Sequence, residues 1–287
     1  MLLASALFVL GLIFGSFLNV CIYRIPRDES VVSPPSHCPE CNASIRWRDN
    51  VPLIGWIVLR GRCRRCGKPI SFRYPAVEFL LGALFVGCYF SFGWQWLTLK
   101  FCVFSFLVLG LIFMDAETGL LPREFTYSGI VVGLILSWIA PSDSGTTAFL
   151  LRAFGRGQPG VHTLGLIDSF VAAFIAAGFF YVVWALYFLV RKRHGLGFGD
   201  IALMAMCGAF LGLKLVILVI FLAPVAALIF VAGMFLWEAF RPKQNEDEVG
   251  FMSREIPFGV FLGSGALAAV FVGEAVWRWY LGYLHIR

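Results

Sequence analysis

The chain has 287 residues, of which 60% are hydrophobic and 14% charged, with 30 Phe and a mean hydropathy of +0.83. Soluble domains run nearer half apolar and a quarter charged, so a soluble globular enzyme, a disordered protein and a coiled coil are excluded, and a polytopic membrane protein is indicated. The balance of 23 Lys+Arg against 17 Asp+Glu would suggest a nucleic-acid partner in a soluble chain; here its distribution is first a question of topology.

A bilayer core takes about 20 mostly apolar residues per helix. On that measure the sequence predicts an all-α membrane protein with about eight transmembrane helices. The first covers residues 2–22, the second 76–92, the third 94–114, the fourth 125–140 and the fifth 164–190. The apolar run 201–240 is too long for one span. Gly208, Gly212 and Lys214 predict a turn near Leu213 that divides it into a short and a long helix. The eighth covers 257–281. The first span has no Lys or Arg before it and no small-residue cleavage site after it, so it reads as a helix and not as a secretory signal.

With residues 24–75 placed in the cytoplasm and the sides alternating from there, 17 of the 23 Lys and Arg fall in cytoplasmic segments. Loops near helix ends on that side collect basic residues. The basic excess is then a topological signal, no nucleic acid is needed, and both termini lie outside. The chain divides into a first helix (1–23), a polar cytoplasmic insert (24–75) and a seven-helix region (76–287). Residues 141–163 read as an outer linker and 241–248 as a solvated mixed-charge loop.

The insert carries Cys38, Cys41, Cys63 and Cys66 as CPEC and CRRC pairs. Two-residue gaps let a turn aim both sulfurs at one ion, and four thiolates close the shell of a structural Zn²⁺. Two disulfides or free thiols are the alternatives; a reducing compartment disfavours the disulfides. Cys21, Cys88, Cys102 and Cys207 lie in apolar spans and read as small core residues.

Six acidic residues fall in or beside the spans, where carboxylates are costly and usually functional. Glu274 and Arg278 have the spacing of an i,i+4 ion pair. Asp168 reads as a first-turn carboxylate, and Glu238 as an interfacial group beside Arg241. Glu78 is either an ion-pair partner of Arg24 or Arg73, or a carboxylate that holds a substrate amine. Asp115, in FMDAETGLLP, and Asp200, in GLGFGD, lie at one cytoplasmic depth. Gly195, Gly197 and Gly199 let an extended segment dock beside Asp200. Two carboxylates sharing a site cannot both ionise easily, so one stays protonated and the other takes a proton from water.

At these residues the sequence resembles the type IV prepilin peptidases, the leader peptidase and N-methyltransferase family of GxGD aspartic peptidases. The resemblance runs through GSFLNVCIYRIP (15–26), the cysteine insert to EFL (37–80), MDAETGLLP (114–122), GLGFGD (195–200) and IPFGVFLG (256–263). It implies an inner-membrane enzyme whose site faces the cytoplasm, with Asp115 and Asp200 as the catalytic pair. It implies cleavage of the leader of prepilins and pseudopilins, then methylation of the new N-terminus from S-adenosylmethionine, linked to the cysteine insert. One departure is Arg123, followed by Glu124, where the family often has an aspartate after the LLP proline. A peptidase lacking methyl transfer, a metal-stabilised scaffold and a transporter are the other readings. A transporter needs polar groups along a midplane path, whereas the acids here cluster near one face.

Overall fold

A computed structural model describes residues 1–142, 144–155, 157, 159–192, 197–240 and 257–283, with side chains 237–240 left aside. Gly195 and the charged run from Arg241 therefore lie outside the described residues, as does the side chain of Glu238. The described chain is helical, and its only strand-like pairings are two isolated bridges, His37 with Ser44 and Arg62 with Pro69. The helices are α1 (Leu2–Arg24), α2 (Ile54–Val58), α3 (Arg73–Phe92), α4 (Trp96–Thr118), α5 (Arg123–Ile139), α6 (Gly145–Ala153), α7 (Val161–Arg191), α8 (Phe198–Phe240) and α9 (Phe258–Tyr283). The chain divides within α4 into two compact units, Met1–Met114 and Asp115–Arg287.

Six of these helices are long and apolar enough to cross a membrane, against the eight expected. The difference lies in two places. The fourth expected span is α5, of 17 residues, a short helix for an upright crossing of a hydrocarbon core about 30 Å thick. The sixth and seventh are one run of 43 residues, α8, interrupted at Gly212 with φ 76° and ψ 176°. That glycine adopts a conformation costly for any side chain, next to the Leu213 turn the sequence predicts.

In the first unit, α1 and α3 cross closely because glycines remove the bulk between them. A Cβ on Gly11 would lie 2.6 Å from Gly82 Cα, and one on Gly15 would lie 2.6 Å from Glu78 Cα. Small residues allow such approach in membrane helices, where packing and not the hydrophobic effect drives association. Buried Arg24 closes the end of α1 by donating to the carbonyls of Ser30 (2.9 Å) and Pro34 (2.7 Å), which pins the start of the insert.

In the second unit, α8 is packed by α5, α7 and α9. A Cβ on Gly208 would meet Ala173 N at 2.5 Å, one on Gly133 would meet Phe210 at 2.7 Å, and one on Gly273 would meet Leu215 at 2.5 Å. The core is the first half of α8, where Leu203, Met204, Met206, Cys207 and Phe210 are fully buried. Ser137 of α5 donates to the Ala209 carbonyl at 2.8 Å, deep in this core.

The segment expected as a plain linker holds a helix, α6, whose Thr147 is buried and donates to Asp168 Oδ1. Asp168 lies well inside α7 and not in its first turn. Its Oδ2 accepts the Leu213 N–H at 3.2 Å, so it caps the helix that restarts after Gly212. Restarting a helix leaves N–H groups without intrahelical acceptors, and a buried carboxylate satisfies one of them. Glu274 pairs with Lys214 at 2.8 Å, while Arg278 Nε reaches only the Glu274 carbonyl, at 3.3 Å. The expected Glu274–Arg278 ion pair yields to a cross-helix one because Lys214 begins the helix packed against α9.

Candidate functional site

Asp115 and Asp200 are both buried, 6% and 8% exposed, in the second unit. Asp115 stands one turn before the end of α4. Its Oδ2 accepts the Val260 N–H at 3.0 Å, and the Gly259 N–H also bonds to this carboxyl. Both donors belong to the first turn of α9, whose N–H groups have no intrahelical partner and whose dipole favours an anion. Asp200 stands in the first turn of α8 and accepts the Gly197 N–H at 3.1 Å through Oδ2. Each carboxylate is thus held by backbone donors at a helix start, and the charge on Asp115 acts on Asp200.

Glycines make this approach possible. A Cβ on Gly259 would sit 2.8 Å from Asp115 Oδ2 and 3.2 Å from Leu121 Cδ1. A Cβ on Gly199 would sit 2.8 Å from Leu121 Cβ. Leu121, of the LLP segment, therefore lies between the glycine beside Asp200 and the glycine beside Asp115. Among the described residues, the Cβ position of Gly197 meets only the Asp200 carboxylate at 3.4 Å and Gly199 N at 3.8 Å. Gly259, Val260 and Leu121 enter the sequence reading only as part of the resemblance motifs, with no site role of their own. The Pro-Phe-Gly at the start of α9 is their only signal, a rigid entry followed by a residue without a side chain.

The cysteine tetrad lies in the first unit. The same turn is built twice. Cys38 N–H bonds Ala43 O, Asn42 N–H bonds Cys38 O, and Ile45 N–H bonds Ser36 O, each at 2.9 Å. At the second pair Cys63 N–H bonds Lys68 O (2.8 Å), Gly67 N–H bonds Cys63 O (2.9 Å), and Ile70 N–H bonds Gly61 O (2.7 Å). Asn42 and Gly67 hold matching positive φ angles of 53° and 70°, as Asn and Gly tolerate best. The four sulfurs lie within 4.8 Å of one another, with Cys38 and Cys66 at 3.9 Å. A tetrahedral thiolate shell with bonds of about 2.3 Å places its sulfurs about 3.8 Å apart, so the tetrad fits a metal ion.

The backbone N–H groups of Cys66 and Arg65 pull the Cys63 thiol down to about 6. Cys66 also receives an N–H, from Lys68, but burial and the neighbouring sulfurs push it up to about 11. Of these two thiols, Cys63 ionises first. Arg64 makes a two-pronged contact with Asp49, at 2.9 and 2.7 Å. Its guanidinium holds the Asp49 carboxyl below the usual range.

Glu78 is buried on α3, with Oε2 accepting the Leu53 N–H at 2.8 Å. The expected partner Arg24 is occupied instead by the carbonyls of the insert.

The bacterial peptidase A24 N-terminal domain model matches residues 9–92, and the type IV leader peptidase family model matches 102–232. A prepilin leader peptidase/N-methyltransferase of Myxococcus xanthus (strain DK1622) is 40% identical over 210 residues, covering 73% of this chain and 56% of that protein. Proteins of the same name from Aeromonas hydrophila and Neisseria gonorrhoeae are 32% and 33% identical. They cover 96% and 77% of this chain, and 93% and 78% of their own lengths. No solved structure matches. With nearly its whole length aligned to the Aeromonas relative, and both family models in order along it, this multi-pass membrane chain belongs to the prepilin leader peptidase/N-methyltransferase family.

Proposed function

We propose that the chain cleaves the leader of type IV prepilins and pseudopilins at the cytoplasmic face of the inner membrane and then methylates the new N-terminus. The observation that carries the cleavage is the pair of buried carboxylates, Asp115 and Asp200, each fed by helix-start N–H groups beside glycines. One carboxylate is ionised and takes a proton from a water as its oxygen attacks the scissile carbonyl. The other is protonated and donates to that carbonyl oxygen as negative charge develops. The proton taken from water then passes to the leaving amine as the C–N bond breaks. Two such groups titrate as a pair. Gly197 leaves space for an extended substrate backbone beside Asp200, while Gly199 admits Leu121.

The methyl-transfer half belongs to the first unit, which the N-terminal domain model covers. S-adenosylmethionine would supply the methyl group there. Zn²⁺ would sit on Cys38, Cys41, Cys63 and Cys66; a four-thiolate shell leaves no open position for activated water, so its role is structural. It ties residues 36–45 to residues 61–70, which flank α2 and precede α3. The test is mass spectrometry of a purified prepilin incubated with the protein and S-adenosylmethionine. The reading expects loss of the leader and one added methyl. An intact substrate with folded enzyme contradicts it, and leader loss without the methyl leaves a peptidase alone.

A further inference from the structure

A cavity of about 620 Å³ opens in the first unit among α1, α3 and the cysteine insert. That is the size range of small-ligand sites. Its wall includes Asn19 and Glu78 from the crossing of α1 and α3, with Trp56 and Tyr74 beside them. We propose that this cavity is a primary-ammonium site, in which Glu78 and Asn19 receive the amine of a methyl-transfer reactant. The inference rests on the methyl-transfer reading and names the chemistry of its site.

Three features carry it. Glu78 is 8% exposed, and among the described residues its carboxylate is met by two neutral donors, the Leu53 N–H and the Ser16 hydroxyl. A carboxylate has about four lone-pair sites, so acceptor capacity remains for a charged donor. Leu53 holds φ 59° and ψ −51° while it makes this bond, a costly conformation for a branched residue. Asn19 is 2% exposed, and its Nδ2 donates to Gly15 O (3.3 Å) and Tyr74 O (3.0 Å), which fixes the amide's orientation. Its Oδ1 is buried and has no hydrogen-bond partner among the described residues. A buried acceptor without a donor is unfavourable until one arrives. An ammonium has three donors and no acceptor, which suits the two acceptors Glu78 and Asn19 on the α1–α3 side, while the insert side of the wall carries the cations Arg46, Arg64, Arg65 and Lys68. Arg24 lines the same cavity but donates to Ser30, Pro34 and Pro35. Trp56, whose Nε1 is fixed on Ile70 O at 3.2 Å, adds an aromatic surface for a purine or a phenyl ring.

Two amines share this chemistry, the α-amino group of the methyl donor and the N-terminus of the cleaved chain. Calorimetry with S-adenosylhomocysteine and its deaminated analogue tests the first. Competition between a peptide starting with free phenylalanine and its N-acetyl form tests the second. Both are run on wild type and Glu78→Gln, with metal content and unfolding midpoint as fold controls. If the donor amine is held, the deaminated analogue binds wild type about 10- to 100-fold more weakly and the difference collapses in Glu78→Gln, as expected for one charge-assisted bond. If the acceptor amine is held, the N-acetyl peptide competes about 10- to 100-fold less well and the peptide KM rises by a similar factor in the variant. Either result supports the proposal. Wild type indifferent to both amines overturns it, and that comparison stands even where the variant does not fold. Methyl transfer with no amine preference overturns this inference alone. Loss of both methyl transfer and cofactor binding in wild type removes the underlying reading as well.

Discussion

Gly259 has no room for a side chain, because its Cβ position lies 2.8 Å from Asp115 Oδ2. Gly259→Ala should displace the carboxylate or the start of α9. A shift approaching 1 Å in a positioning element costs about 100-fold in rate, so steady-state cleavage should fall by that order while the protein still inserts and folds. Unchanged cleavage would mean that Asp115 does not need its α9 donors. The sequence singles out the two aspartates because carboxylates in apolar helices are expensive, and the structure buries both of them. Val260 was not legible. A backbone N–H carries no residue signature, and its bond to Asp115 joins positions far apart in the chain. Asn19 escaped notice because one amide in an apolar helix looks like a tolerated polar residue until its carbonyl is found buried without a donor. Glu274 shows the opposite error. The local i,i+4 rule offered Arg278, and tertiary packing supplied Lys214.

The break in α8 depends on two residues, the left-handed Gly212 and the Asp168 that caps the restarted helix. Asp168→Ala should leave the Leu213 N–H and the Thr147 hydroxyl without a buried acceptor, at about 2–4 kcal/mol. Denaturant unfolding in detergent would read this as a lower midpoint; an unchanged midpoint would show that the cap is dispensable. The glycines and lysine near residue 212 announced the break, whereas α6 stayed hidden because polar, Gly-containing sequence reads as linker. In the insert, the two CxxC turns were legible from spacing alone, since their geometry is local. Metal should be lost on acidification as thiolates take up protons. Cys63, pulled down to about 6, is lowered relative to an ordinary thiol. Its thiolate therefore stabilises the folded site fully above pH 9 and loses that contribution as the pH falls towards 6. Elemental analysis along an acid titration checks it, and a metal content that does not fall on acidification of the folded protein would contradict it. Cys38→Ser with Cys63→Ser should carry no metal at any pH.

At the scale of the whole chain, composition and charge bias were enough to place it in a membrane as a helical protein, because lipid leaves helices as the spanning structure for such long apolar runs. The number of spans was less legible, since hydropathy records where a run is apolar and not where it bends or how short a helix packs. The tetrad and Glu78 fall in one unit and the aspartate pair in the other. Metal-free Cys38→Ser/Cys63→Ser protein should therefore lose methyl transfer and keep leader cleavage; loss of both with intact helicity would tie the two units into one site. The central claim is that Asp115 and Asp200 act as one catalytic pair. It is tested most directly by single-turnover cleavage of a prepilin by wild type, Asp115→Asn and Asp200→Asn, with helicity and membrane insertion checked in each. The account predicts that both variants fold and insert yet release no leader above background. Substantial leader release by either one would contradict it.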